Sequence, residues 1–194
     1  FIPDASDKYA PVTGKTAVNV VPRAVIISGI TAGDKIYDGK TDAVLDLSGV
    51  KLDGVLEGDE LTITATGAFR SKDADDSKAG VVDLSDLVFG GKSADSYVID
   101  ATDSQSTTTA FIRRAELTVT PDTLSKTYGV SDPELTFSVA GAVGDEQPAF
   151  TGALGRAAGE DVGTYAVTPG TLKLKDNGGF RAGNYKLVFS ADTV

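Results

Sequence analysis

A tract near residue 23 returns near residue 114, and a chain that repeats itself at this spacing folds as a series of small units rather than around one large core. Arg23-Ala24 is followed 14 positions on by Tyr37, within Lys35-Ile36-Tyr37-Asp38-Gly39; Arg114-Ala115 is followed 14 positions on by Tyr128, within Lys126-Thr127-Tyr128-Gly129. Downstream, Gly58-Asp59-Glu60 matches Gly144-Asp145-Glu146, Thr66-Gly67-Ala68-Phe69 matches Thr151-Gly152-Ala153-Leu154, Gly80 matches Gly163, and Ser96-Tyr97 matches Asn184-Tyr185. The offsets of 91, 86, 85, 83 and 88 residues drift as loop insertions and deletions in two related domains make them drift. Val20-Val21-Pro22-Arg23-Ala24 also aligns with Phe111-Ile112-Arg113-Arg114-Ala115, and Tyr9 precedes Tyr97 by 88. Residues 1–22 therefore read as the tail of a preceding repeat, 23–113 as one domain and 114–194 as the next, a piece of a longer array.

The 194 residues give room for two domains, and units of about 90 residues bury only about 60–65% of their unfolded surface, so each gains from neighbours. No apolar run approaches the roughly 20 residues of a membrane span. A net charge of −10 argues against nucleic acid, whose binding rests on neutralising phosphates with Lys and Arg. The absence of Cys and His removes disulfides, thiolate nucleophiles, zinc clusters and the Ser-His-Asp triad. Scattered Asp and Glu assemble no recognisable catalytic pair, so no enzyme is expected. Cysteine-free domains suit an exposed bacterial surface.

Periodicity is that of strands. Leu61, Ile63 and Ala65 alternate with Thr62, Thr64 and Thr66; Leu117 and Val119 alternate with Glu116, Thr118 and Thr120; Tyr185, Leu187 and Phe189 alternate with Lys186 and Val188. Such runs, broken by Asp38-Gly39, Ser131-Asp132-Pro133 and Asp176-Asn177-Gly178-Gly179, predict half-buried antiparallel strands. Residues 54–59 and 141–145 are the best candidates for a helical turn, and 70–78 reads as a surface loop or hairpin tip. The fold class expected is mainly β: two tandem small antiparallel β domains, end to end. Residues 107–113 read as the last strand of one and 115–120 as the first strand of the other, with no Gly/Ser tract between them to act as a flexible coil.

Tyr37 and Tyr128 head the repeated motif and are expected as core rings with hydroxyls bonded to a turn; Gly39 and Gly129 supply positive φ beside them. Tyr97 and Tyr185 form the matching pair near the domain ends. Arg23 and Arg114 are placed at domain junctions, each positioned to bridge an acidic neighbour. Asp73, Asp75 and Asp76 are the candidate Ca²⁺ ligands, since Ca²⁺ takes clustered carboxylate oxygens. The EF-hand pattern fails around them, Lys72 and Lys78 offset their charge, and the plainer reading is a solvated loop. A Lys126–Asn184 crosslink is disfavoured because Ser96 replaces the matching Asn in the first copy.

These motifs resemble the YDG and MBG repeats of large bacterial surface adhesins, including filamentous-haemagglutinin-like, two-partner-secreted proteins. Residues 22–113 carry the YDG pattern through Pro22-Arg23-Ala24 and Asp34-Lys35-Ile36-Tyr37-Asp38-Gly39-Lys40-Thr41-Asp42-Ala43. Residues 114–194 carry the MBG pattern through Lys126-Thr127-Tyr128-Gly129, Asp132-Pro133, Val162-Gly163-Thr164-Tyr165 and Gly183-Asn184-Tyr185. Ser96 and the acidic insert 73–76 depart from it. The resemblance implies an immunoglobulin-like sandwich or β-grasp-like sheet. It implies non-catalytic stalk modules of a cell-surface or biofilm-matrix adhesin, extracellular or secreted, with neighbouring repeats of the same chain as partners and no cofactor. The alternative role is an adhesive module that recognises a polysaccharide or a host surface protein.

Overall fold

The computed structural model describes residue 14 and residues 17–190. Most of the tail expected over 1–22 lies outside them, and 17–22 carry no strand.

Each domain opens with a strand whose alternate side chains enter the core, as a period of two requires. Val25 and Ile27 are fully buried in Arg23–Ser28, as are Leu117 and Val119 in Ala115–Pro121. The opening strand lies at the centre of a three-stranded sheet in both domains. On one side it pairs antiparallel with Lys51–Asp53 or Phe137–Ala140; on the other it pairs parallel with a strand late in the domain, Tyr97–Ile99 or Tyr185–Phe189. A parallel neighbour cannot follow through a tight turn, so the chain between the two parallel strands forms a crossover. In the first domain that crossover supplies Asp42–Ala43, Thr62–Phe69 and Gly80–Gly90 to a four-stranded antiparallel sheet, which Thr107–Ala110, coming after the parallel strand, completes beside Gly80–Gly90. In the second it holds two two-stranded ladders, Ala149–Thr151 with Lys173–Lys175 and Gly155–Arg156 with Val167–Thr168. The chain is thus mainly β, two small domains in tandem.

The ladders also fix how the copies correspond. Ile27 faces Leu52 and Val119 faces Val139, so Ile27 corresponds to Val119. The letter match of Arg23 to Arg114 is one residue out of step, because the structural counterpart of Arg23 is Ala115. On a strand a one-residue slip exchanges faces; in the ladder register the buried Val25 and Ile27 fall on the buried Leu117 and Val119. Two glycines confirm the register. Gly54, at φ +103°, would place a Cβ 2.9 Å from the Ala24 carbonyl oxygen, and Gly141, at φ +98°, would place one 2.3 Å from that of Glu116.

The helical turn expected at 54–59 and 141–145 is absent; both segments turn through positive-φ glycines, Gly54 and Gly58 or Gly141 and Gly144. The helical turns lie elsewhere, as single 3₁₀ turns at Ala94–Ser96 and Ala182–Asn184 that deliver Tyr97 and Tyr185 into the parallel strands.

The hydrophobic cluster at the junction draws on both domains. Tyr37, Phe69, Val82, Ala110 and Ile112 come from the first, and Ala115, Leu117, Phe180 and Tyr185 from the second. Ile112–Arg113 pairs parallel with Lys35–Ile36, and Ala115 begins the next sheet, so Arg114 alone separates a strand of one domain from a strand of the other.

Substitution at the close glycine–carbonyl approach shared by the two copies tests this register. Gly141→Ala is expected to lower stability in urea unfolding by more than the about 1–3 kcal/mol of left-handed strain alone. Gly129→Ala, also at positive φ but with no heavy atom within 4 Å of the added Cβ, is expected to stay within that range.

Candidate functional site at the domain junction

The junction is built around the carboxylate of Glu146. Tyr37 stands at the end of Lys35–Ile36, held there because its N–H donates to the Arg113 carbonyl at 2.8 Å. Its ring enters the shared core edge-on to Tyr185, with centroids 5.5 Å apart, and Tyr185 stacks on Phe180 at 5.0 Å. The Tyr37 hydroxyl donates to Glu146 Oε1 at 2.6 Å and the Tyr185 hydroxyl donates to Oε2 at 2.8 Å. The Tyr185 oxygen in turn accepts the Val143 N–H at 3.0 Å. One carboxylate therefore joins a tyrosine of each domain, through charge-assisted bonds of the stronger class. Burial, reinforced by the carboxylate, pushes both phenols up to about 12.

The first domain contains the same device in isolation. Tyr97 donates to the Asp59 carboxylate and accepts the Leu56 N–H at 3.0 Å. Asp59 holds the Tyr97 phenol above its ordinary value. Asp59 thus corresponds to Glu146, one position beyond the Asp145 with which the letter match pairs it. This offset hid the carboxylate at the centre of the site; counting from Gly54 and Gly141 instead finds it.

The acidic insert is a surface loop with Asp75 to Lys78 exposed, as expected, but its base is tied to the second domain. Its three carboxylates turn to different partners, and among the described residues no group of three acidic side chains converges on a cation position. Asp73 pairs with Arg181 at 3.2 Å and accepts from the Asn184 amide at 3.3 Å. Asp75 closes a local turn onto the Ser77 N–H and hydroxyl, bonds that hold its carboxyl below the usual range. Asp76 accepts the Arg114 N–H at 3.1 Å and faces its guanidinium at 3.4 Å. Asn184, 2% exposed, receives the Ala74 N–H on its side-chain oxygen at 2.9 Å. The insert reaches across the junction, and Asn184 and Arg181 of the second domain receive it. Lys126 pairs instead with Asp132 and Glu160 at 2.6 and 2.7 Å, so the two residues weighed for a crosslink belong to separate networks.

The remaining positions divide between the copies. Arg114 bridges to an acid of the neighbouring domain, whereas Arg23 donates to Gly54 O at 2.6 Å within its own. Gly39 and Gly129 both have positive φ, +78° and +83°. Tyr37 is 3% exposed, but Tyr128 is 69% exposed, which overturns its reading as a core ring. The physical reason is that Tyr37 is covered by the following domain; its own domain does not supply the Glu146, Phe180 and Tyr185 that enclose it.

Two measurements probe the socket. Tyr37→Phe is expected to cost about 1.5–3 kcal/mol, the scale of a hydrogen bond to a charged group, and a cycle with Glu146→Ala should return a coupling of about 0.5–3 kcal/mol. Additive losses would show that the two side chains act separately. The phenols also set a pH dependence. Their folded values near 12 lie above the unfolded value of about 10, so their contribution is complete below pH 10 and is lost as pH rises through 12. Urea midpoints should fall across that window, with less fall in Tyr37→Phe.

Residues 21–108 match the family model of the YDG domain and residues 117–194 match that of the MBG domain (YGX type). No curated protein and no solved structure matches the chain. The junction segment 109–116, with Ile112, Arg113 and Arg114, falls between the two matches. The chain carries a YDG domain followed in tandem by an MBG domain.

Proposed function

We propose that this pair of domains is a non-catalytic spacer, a stiff segment in the stalk of a bacterial cell-surface or biofilm-matrix adhesin. The observation that carries the reading is the junction itself. A hinge needs residues free to change φ and ψ, and here Arg114 alone stands between paired strands. Bending would also part Tyr37 from Glu146 and open an apolar cluster drawn from both domains. Exposing that surface costs free energy in proportion to its area, on the order of 25 cal/mol per Å². The partly exposed ion pairs Arg114–Asp76 and Arg181–Asp73 orient the contact more than they stabilise it.

Other features agree with a spacer. A repeat module whose internal contacts are renewed at each junction extends without needing a large core of its own. The charge of −10 keeps such a rod soluble and discourages lateral association. A chain with no Cys and no His lacks the thiolate nucleophile and the imidazole that serves as base or metal ligand. Together with the YDG and MBG families, these features support an extracellular location and neighbouring repeats as the main partners.

Small-angle scattering should yield one dominant particle length. Inserting a Gly-Ser segment between Arg113 and Arg114 should broaden the distribution while each domain keeps its fold. A broad distribution in the parent chain would sink the spacer reading.

A further inference from the structure

Tyr37 and Tyr128 stand at equivalent places in the repeated motif, yet one is 3% and the other 69% exposed. The difference has a single structural source. Tyr37 is enclosed by the domain that follows it, and the strand leading into that domain, Ile112–Arg113, pairs with Lys35–Ile36 immediately before it. The counterpart of Lys35–Ile36 in the second domain, Lys126-Thr127, has no strand partner and is not a strand. Val130 beside Tyr128 is also exposed.

The surroundings of Tyr128 are nevertheless built. Lys126 and Arg156 each bridge Asp132 and Glu160 across 2.5–2.7 Å. Their side chains are only 23% and 17% exposed, and Lys126, Asp132 and Glu160 line a hollow with Tyr128 and Val130. In the first domain Lys35 fixes the corresponding turn through Asp38 at 2.8 Å. Each copy thus holds its motif tyrosine on an anchored turn, and only the first has its tyrosine covered.

We propose that this end of the second domain is a docking face for a further domain of the same kind. The segment leading into the incoming domain would add a strand to Lys126-Thr127, as Ile112–Arg113 does to Lys35–Ile36, and the domain would present a carboxylate, bonded by its own tyrosine, to the Tyr128 hydroxyl. The required acceptor is present in both domains of this chain, as Glu146 with Tyr185 and as Asp59 with Tyr97. The chemistry of the occupant is therefore that of the chain's own modules. The proposal rests on the spacer reading and extends it from one junction to a rule for adding modules.

The test is an extended protein. Ser190 N donates to Val119 O as Gln105 N donates to Ile27 O, so Ser190 stands at the position of Gln105. Counting four residues on from each pairs Val194 with Thr109, and a second copy of residues 110–194 is joined directly after Val194. Tyrosine nitration by tetranitromethane is followed by peptide mass spectrometry. In the parent chain Tyr128 should react fast and Tyr37 slowly. In the extended chain Tyr128 should slow by at least about tenfold, as closure of a local contact requires. Glu146→Ala in the appended copy alone should restore most of its rate.

An unchanged Tyr128 rate with Tyr37 still protected would overturn the docking face while leaving the first junction intact. Fast reaction at Tyr37 in the parent chain would instead overturn the spacer reading. If the appended copy's own counterpart of Tyr185 is nitrated rapidly, the copy has failed to fold on this face. That result also counts against the proposal, since the same residues fold behind Ala110 in the parent chain.

Discussion

One carboxylate with two tyrosines holds the rest of this molecule in place. Glu146 accepts from Tyr37 of the first domain and Tyr185 of the second, so one partly buried carboxylate satisfies a hydroxyl of each, and those buried rings would otherwise leave their hydroxyls without that acceptor. Neither domain can complete the site alone. Around it the apolar cluster crosses the boundary, and at its edge Asn184 receives the backbone of the acidic insert. The folding unit and the sequence repeat are thereby out of phase: the repeat ends at Arg113, but the core that it needs continues through Phe180 and Tyr185.

The two domains use one plan with different amounts of chain. Both centre on an opening strand with a later strand parallel beside it, and both place a positive-φ glycine, Gly54 or Gly141, under a backbone carbonyl of that strand. The remaining sheets differ, with a four-stranded sheet in the first domain and two short ladders in the second. The pieces held constant are those that shape the junction. The variable ladders lie where loop insertions cost little, since closure entropy grows slowly with length.

Much of this was legible in the residues. Alternation identified Leu117 and Val119 as inward-facing, and the missing Gly/Ser tract identified the tight junction. Letter identity failed where it met the pleat. Arg23 with Arg114, and Asp59 with Asp145, look like better matches than Arg23 with Ala115 and Asp59 with Glu146, yet the ladders and glycines select the latter. Tyr128 was misread because a motif repeated in sequence need not be repeated in environment. What buries Tyr37 lies more than a hundred residues away at Glu146, and periodicity carries no information about such a partner. The insert 73–76 is the surface loop that its residues suggest, but its partners were not legible: Arg114, Arg181 and Asn184 are remote in sequence or hidden in another motif.

The parallel ladder beside the opening strand has a mechanical consequence in the second domain. Because Ala115–Pro121 and Tyr185–Phe189 run the same way side by side, tension applied along the chain between them pulls them in opposite directions along their length. The bonds of its five paired positions are loaded together, in shear, instead of being opened one after another as in an unzipping hairpin. In the first domain the chain runs on from Tyr97–Ile99 through Thr107–Ala110 and Ile112–Arg113 before it reaches the junction, so the load passes through those strands as well.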